Sequence, residues 1–244
     1  MVGLGTCSGG NDNGTGIQMA QAVGAAVRHM SAGQVGIAAV PGLMVRGMVV
    51  NSHGQRFINE DVYPGLLGQA ALFKHDLKVW VIVDEQAFEE VPEVERWGTQ
   101  PTHMAETLTE LEMLTGMPPG SLESTVTQYN SHAENGEDPY FHKSPTWLRP
   151  LQPPFAAIDV QKGFVPPEGG DPGSSAAVFS LGGLEVDIDG RVIDHDGRPI
   201  PGLFAAGRST SGLHSWGYVS GTSLGDGTFF GRRAGRVAAT TSDR

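Results

Sequence analysis

The sequence is poor in features that mark several large protein classes. It has a single cysteine, Cys7, so no disulfide can close within the chain and an oxidising compartment gains no support. No apolar run approaches the roughly 18 residues of a membrane-spanning helix. Met1 is not followed by the charged and apolar regions of a signal peptide, so the expected location is the cytoplasm, with no membrane span. Basic residues are scarce: 16 Lys plus Arg against 27 Asp plus Glu leave a formal charge of −11. Such a balance disfavours a broad contact with a phosphate backbone, and no nucleic-acid partner is expected. No His, Cys or carboxylate cluster has metal-ligand spacing, so no metal is expected.

Glycine is what the chain has in excess. Its 35 glycines in 244 residues are about twice the average share and point to tight turns and close backbone approach. The length suits one large or two small domains.

Residues 1–16 are loop-like around CSGGNDNGTG. After them Ile17, Ala20, Val23, Val27 and Met30 recur at helical spacing, which predicts a helix entered from a glycine-rich loop. GMVVN (Gly47 to Asn51) and RFINE (Arg56 to Glu60) flank an HGQ turn and predict a hairpin. KVWVIVD, Lys78 to Asp84, suits a buried strand. Helices are predicted over Met104 to Leu114, stopped by Gly116 and Pro118, and over Leu122 to Ala133, stopped by Gly136. Prolines are dense from Ser144 to Gly173, as where a chain crosses between domains. LEVDIDGRVIDHDGRPIPG alternates apolar and polar residues around Asp189-Gly190, a hairpin signal with type I′ chemistry. LFAA then reads as a short buried strand, and the stretch beyond Gly221 as a small-residue helix.

Two glycine-rich segments can carry chemistry. GGNDNGTGIQMA opens a helix whose first amides lack acceptors, so a polar ligand group can dock there, although a solvated loop has the same pattern. In PGLFAAGRSTSGLHSWGYVSGTSLGDGTFFGRRAG, strand, loop and glycine-flanked helix start fall together. Gly221, Thr222, Ser223 and Leu224 would open the last helix, leaving amides and a positive dipole end to face developing negative charge. The glycines also allow tight packing, and both uses can hold at once.

This last segment resembles the C-terminal flavin-binding region of the fumarate reductase and 3-ketosteroid dehydrogenase superfamily: a PGLYAAGE-like strand, a loop, GGNSL and FGRxAG. VVNSHGQRFINE is similar to its VNxxGxRFxNE, and TVTQYNSHAENGEDPYF to its TVxxYNxxxxxGxDxxF. The resemblance runs from about Gly14 to Gly235. It implies FAD as cofactor, with Thr15, Gly207, Arg208, Gly221, Ser223 and Leu224 as contacts. Thr15 stands where the family's TGDG has Asp, and Arg208 where it often has Glu.

The implied fold class is α/β with an α+β insert. Residues 1–36 and 156–244 would be two parts of an incomplete Rossmann-like FAD-binding domain, and 37–155 a mixed α+β substrate (capping) domain. The catalytic residues would sit where these meet. The family's first strand and GxGxxG turn have no counterpart before Gly14, which predicts a fragment or one part of a split protein completed by an upstream chain.

Dicarboxylate-acting members clamp carboxylates with arginine. Here the diagnostic arginine is replaced by Tyr218, Val178 stands ahead of LGG where a His precedes MGG, and Asp61, Val62, Tyr63 and Pro64 follow RFINE without an arginine. Tyrosines at these places, with GYVSG, resemble 3-ketosteroid dehydrogenases, the Δ4-(5α) branch above the Δ1 branch. That resemblance implies Tyr63, Tyr218 and Ser220 as catalytic residues around a small hydrophobic, steroid-like ketone. Desaturation beside a ketone needs a hydride acceptor and a base. A phenol, with a reference pKa of about 10, becomes a base when a hydrogen bond stabilises its anion. Tyr63 donating to Tyr218 would do this, with Ser220 assisting. The alternatives are a reductase of a small unsaturated acid and a non-catalytic fragment that does not hold FAD alone. His214 reads as a solvated or capping loop histidine ahead of a general base, and Cys7 as inert.

Overall fold

The computed structural model describes residues 5–6, 12–37, 39–161, 176–214 and 216–241. Cys7 lies outside them. The chain divides into two compact units, one of Met1–Gly5 and Val35–Ala177, the other of Thr6–Gln34 and Val178–Arg244.

The first unit is built on a four-stranded antiparallel sheet in the order Met48–Asn51, Val79–Asp84, Phe155–Asp159, His103–Ala105. Val79–Asp84 lies inside the sheet, with Val81 opposite Val49 on one side and Ile158 on the other. Side chains alternate across a strand, so Val79, Val81 and Val83 enter one core with Leu43, Leu67 and Ala71. Ile82 enters the other with Leu111, Leu122 and Val126. Helices Pro41–Arg46 and Pro64–His75 thus cover one face, and Leu108–Thr115 and Ser121–Ala133 the other. Each fully buried Val or Leu contributes roughly 1.5–3 kcal/mol.

RFINE does not return as a strand. Only an isolated bridge joins Arg56 to Val50, and Met48–Asn51 pairs with Val79–Asp84 instead. The competing interaction is ionic. Arg56 places Nε 2.9 Å from Glu60 Oε1 and Nη2 2.7 Å from Glu60 Oε2, and it donates to both carboxylate oxygens of Asp138 at 3.1 and 2.9 Å. Its guanidinium lies against the rings of Tyr129 and Phe141. Behind it Lys143, wholly buried, donates to Gly47 O at 2.6 Å and sits 3.7 Å from Glu60. Burial works to raise the Asp138 carboxyl, but the hydrogen bonds and charge of Arg56 outweigh it and hold that group below its usual value. Burial pushes the Lys143 ammonium down to about 8, against the pull of Glu60.

This has a pH consequence. Between pH 8 and 10.5 the unfolded chain holds the Lys143 proton more tightly than the folded one, so stability from this group rises with pH. Urea unfolding at pH 7.5 and 9.5 is expected to shift by about 2 kcal/mol in favour of the wild type relative to Lys143→Met. A stability gap that is flat across this range excludes a strained buried ammonium.

Two other helix boundaries depart from the pattern. The first helix is Thr15–Gln21 only: Gly24 follows at φ +92°, and Val27–Arg28 is a strand. Val23 and Met30, which helical spacing assigned to a buried face, are exposed. Met104 belongs to the strand His103–Ala105, and the helix begins at Leu108, where the Thr107 hydroxyl accepts from Glu110 N. Leu122 to Ala133 is helical from Ser121. Its N-terminus has no cap of its own. Buried Glu112 supplies one, accepting from the amides of Gly120, Leu122 and Glu123 at 2.6, 2.7 and 3.0 Å.

The second unit is smaller. Val27–Arg28 pairs with Gly183–Leu184, and Arg191–Ile193 with Pro199–Phe204, both antiparallel. The core holds Ala20, Ala25, Leu184 and Val192, with Ile17, Val186 and Leu203 packed on it. The Asp189-Gly190 reversal is present, with Val186 bridging Val192, but it is not a type I′ turn. Only Gly190 has positive φ there, and Gly190 N donates to Asp187 O, as in a three-residue loop that ends on a left-handed glycine. Glycine is required at that place twice over, since a Cβ would also lie 2.7 Å from Ala234 Cβ. LFAA is not a buried strand: Leu203 and Phe204 are half-buried at the end of Pro199–Phe204. The last helix runs Thr222–Thr240. No helix among the described residues is long and apolar enough to cross a membrane.

Candidate functional site

In the second unit the strand Pro199–Phe204 delivers the chain to a single helical turn, Gly207–Ser209, and a loop then leads into the last helix. Gly207 is buried at φ +67°, and a Cβ there would lie 3.2 Å from Gly227 Cα in the last helix. The close approach of turn and helix therefore depends on glycine at this position. Gly221 begins the last helix at φ +89° with no side-chain cap. The N-cap residue thus supplies no side-chain acceptor to the positive end of this 19-residue helix.

Arg208 lies over the Phe179 ring, 4.6 Å from its centroid. Tyr218 meets the same ring edge-on at 5.0 Å, and His214 lies 4.8 Å from Tyr218. Phe179 thereby ties Arg208 to Tyr218, and through it to His214. A small hollow among these groups is lined by Ser180, Gly207, Arg208, His214, Ser223 and Asp226. A second, of about 190 Å³, continues from Arg208 and Ser180 to Asn13, Gly14 and Thr15 at the start of the first helix. Thr15 donates its hydroxyl hydrogen to Asn13 Oδ1 at 2.6 Å.

The structure thus brings Thr15, Gly207, Arg208 and Ser223 to adjoining hollows of one unit, with Tyr218 packed against the lining residues Phe179 and His214. Ser220 and Leu224 are exposed beside them in the chain. Tyr63 belongs to the other unit, half-buried ahead of the helix Pro64–His75. Two residues emerge that the sequence reading undervalued. His214 is not a bare loop histidine, because both ring nitrogens face hydroxyls of the last helix. Asp226, within the Gly-Asp-Gly of that helix, is only 5% exposed. It makes no hydrogen bond among the described residues; burial pushes its carboxyl up while His214 pulls it down. The available signal was the spacing Ser223-x-x-Asp226, which puts both on one helix face.

A helix end with free amides, a glycine-dependent close approach and hollows that continue to a second glycine-rich loop would suit an extended, polar cofactor. Residues 6–224 match the family model described as FAD binding domain, and the chain belongs to this family of flavoproteins. The proteins it resembles include fumarate reductases and 3-ketosteroid dehydrogenases. It is similar to the crystal structure of 3-ketosteroid-Δ4-(5α)-dehydrogenase from Rhodococcus jostii RHA1 in complex with 4-androstene-3,17-dione, with 43% identity and a TM-score of 0.87 over 98% of this chain and 48% of that one. It is 31% identical to 4-oxocyclohexanecarboxylate 2-dehydrogenase of Sinomonas cyclohexanicum, over 96% of this chain and 46% of that protein. It is 28% identical to a cytochrome-type fumarate reductase of Shewanella frigidimarina, over 95% of this chain and 40% of that protein. The chain spans less than half the length of each of these proteins. The fold is mixed α/β with an FAD-binding domain.

Proposed function

We propose that the second unit holds the flavin end of FAD and that the protein is an FAD-dependent oxidoreductase of CH–CH bonds in a ketosteroid-like substrate. The observation that carries this is the meeting of Arg208, Ser223 and the start of the last helix at adjoining hollows, with Tyr218 against the lining residues Phe179 and His214. The residues fit the group: Gly207 lets the turn approach the last helix closely, and the free amides at the start of that helix, with Ser223 and Leu224, would hold the flavin's pyrimidine edge. Thr15 and Arg208 line the continuation.

When bound, FAD supplies the hydride acceptor. Tyr218 Oη takes the proton from the carbon beside the ketone, with Ser220 assisting and Tyr63 as the second phenol. Tyr218 is well suited to hold one position, since Phe179 and His214 brace its ring. In this reading residues 1–36 and 156–244 form the FAD-binding part and residues 37–155 form the substrate (capping) domain. The similarity to the steroid-bound Rhodococcus enzyme supports this substrate class over a small unsaturated acid. So does the absence of arginine at Tyr218 and around Tyr63.

Titration of the purified chain with FAD, followed by visible absorbance, tests the reading. A perturbed flavin band that is lost in Gly207→Val is expected. A spectrum equal to that of free FAD at every concentration contradicts it.

A further inference from the structure

His214 stands in the loop that enters the last helix. Nδ1 is 3.4 Å from Thr222 Oγ1, and Nε2 is 3.3 Å from Ser223 Oγ. A hydroxyl has one hydrogen to give. That of Thr222 is already used, donated to Val219 O at 2.5 Å, so Thr222 can only accept from the imidazole. Nδ1 therefore carries a proton in the neutral ring, and the lone pair lies on Nε2. There the Ser223 hydroxyl donates, turning its hydrogen toward the ring and leaving its oxygen lone pairs toward the hollow. A second proton, at Nε2, reverses the contact. The ring now donates, Ser223 Oγ accepts, and the serine hydrogen is released to the hollow.

The charged and titratable groups around the ring come from three elements. Asp226 lies one turn further along the helix, Arg208 enters the same hollow from the turn Gly207–Ser209, and the Tyr218 ring lies against the imidazole from the loop. Among the described residues no donor reaches the Asp226 carboxyl, which lines the same hollow as His214.

We propose that His214 sets the hydrogen-bond polarity of Ser223 toward the flavin: acceptor while the ring is neutral, donor once the ring is charged. This rests on the flavin reading above. A donor at the pyrimidine edge favours a ligand with negative charge there, so protonation of His214 and binding of reduced FAD strengthen each other by the same factor.

Ring-nitrogen NMR of the ¹⁵N-labelled chain, with the His214 signals identified by their loss in His214→Gln, tests the assignment without flavin. The expected neutral ring is Nδ1-protonated. Ser223→Ala moves the Nε2 signal and leaves Nδ1 in place, while Thr222→Val releases population to the other tautomer. An Nε2-protonated wild-type ring, or an Nε2 signal indifferent to Ser223→Ala, overturns the proposal. The coupling is then read by titrating the chain with oxidised and with dithionite-reduced FAD, at pH values on either side of the His214 transition. Protonation is expected to raise the preference for reduced FAD about tenfold, the scale of one charge-assisted hydrogen bond. Ser223→Ala should abolish that dependence. An unchanged preference overturns the coupling even if the tautomer is as assigned. Absence of any FAD uptake instead overturns the flavin reading, and the coupling with it, while the NMR result separates that failure from an error in the side-chain assignment.

Discussion

Arg56→Ala is expected to destabilise the first unit by about 3–5 kcal/mol, enough to unfold a domain of ordinary stability. The cost lies mainly in what the arginine leaves behind. Glu60 and Asp138 have side chains 0% and 3% exposed, and without Arg56 their charges are stranded near each other in a low-dielectric site. Lys143 offsets only part of this, since its nearest approach is to Glu60 at 3.7 Å. Lysine at position 56 keeps the charge but cannot engage two carboxylates with a planar fork, so Arg56→Lys should recover less than half of the loss. Far-UV circular dichroism during urea unfolding measures both. A midpoint within experimental error of the wild type for Arg56→Ala contradicts the idea that the cluster holds the 48–60 segment against the turn at 138–143.

Tyr218→Phe is expected to lower turnover of a 3-ketosteroid by roughly 10²–10⁴-fold, the usual contribution of a positioned proton acceptor. The substitution removes one oxygen and leaves the ring, so the contacts with Phe179 and His214 survive. Flavin colour and KM should therefore change little while kcat collapses, which distinguishes a lost base from a lost fold. Rapid mixing of the flavin-loaded protein with the steroid, monitored by bleaching of the flavin band, gives the rate directly. An active Tyr218→Phe protein removes the phenol from the mechanism and turns attention to Ser220.

The elements that the sequence made legible are those whose stability is local. Val79–Asp84 is a run of β-branched and aromatic residues, and Ser121–Ala133 is a periodic helix stopped by glycine, so each announces itself without its neighbours. The misreadings occur where a distant partner decides. RFINE has strand-like residues, yet Arg56 is turned inward by Asp138, far along the chain. Val27 continues a helical period, but pairing with Leu184 takes it into a sheet. Of the candidate site, the glycine-flanked last helix and the GYVSG loop that carries Tyr218 were visible as motifs, because their spacing is fixed within a short stretch. The partnerships of His214 with Thr222 and Ser223 were not, since a loop histidine has the same appearance whether its nitrogens face water or hydroxyls. Asp226 was hidden for a related reason: between two glycines, a carboxylate ordinarily reads as a solvated residue.

The second unit is made of two segments, Thr6–Gln34 and Val178–Arg244, with the 35–177 segment of the first unit between them. The pairing of Val27 with Leu184 must therefore close a very long loop, and contacts of such high sequence separation form slowly. Closure entropy grows with the logarithm of the free chain length, by about 0.6 kcal/mol for each doubling. Early collapse of the intervening sheet removes most of that length from the search. Folding is accordingly ordered in time: amide protection should reach Val79–Asp84 before Val27 and Leu184. During synthesis the strand Val27–Arg28 leaves the ribosome without Gly183–Leu184, and waits through the making of residues 35–177 before it has a strand to pair with.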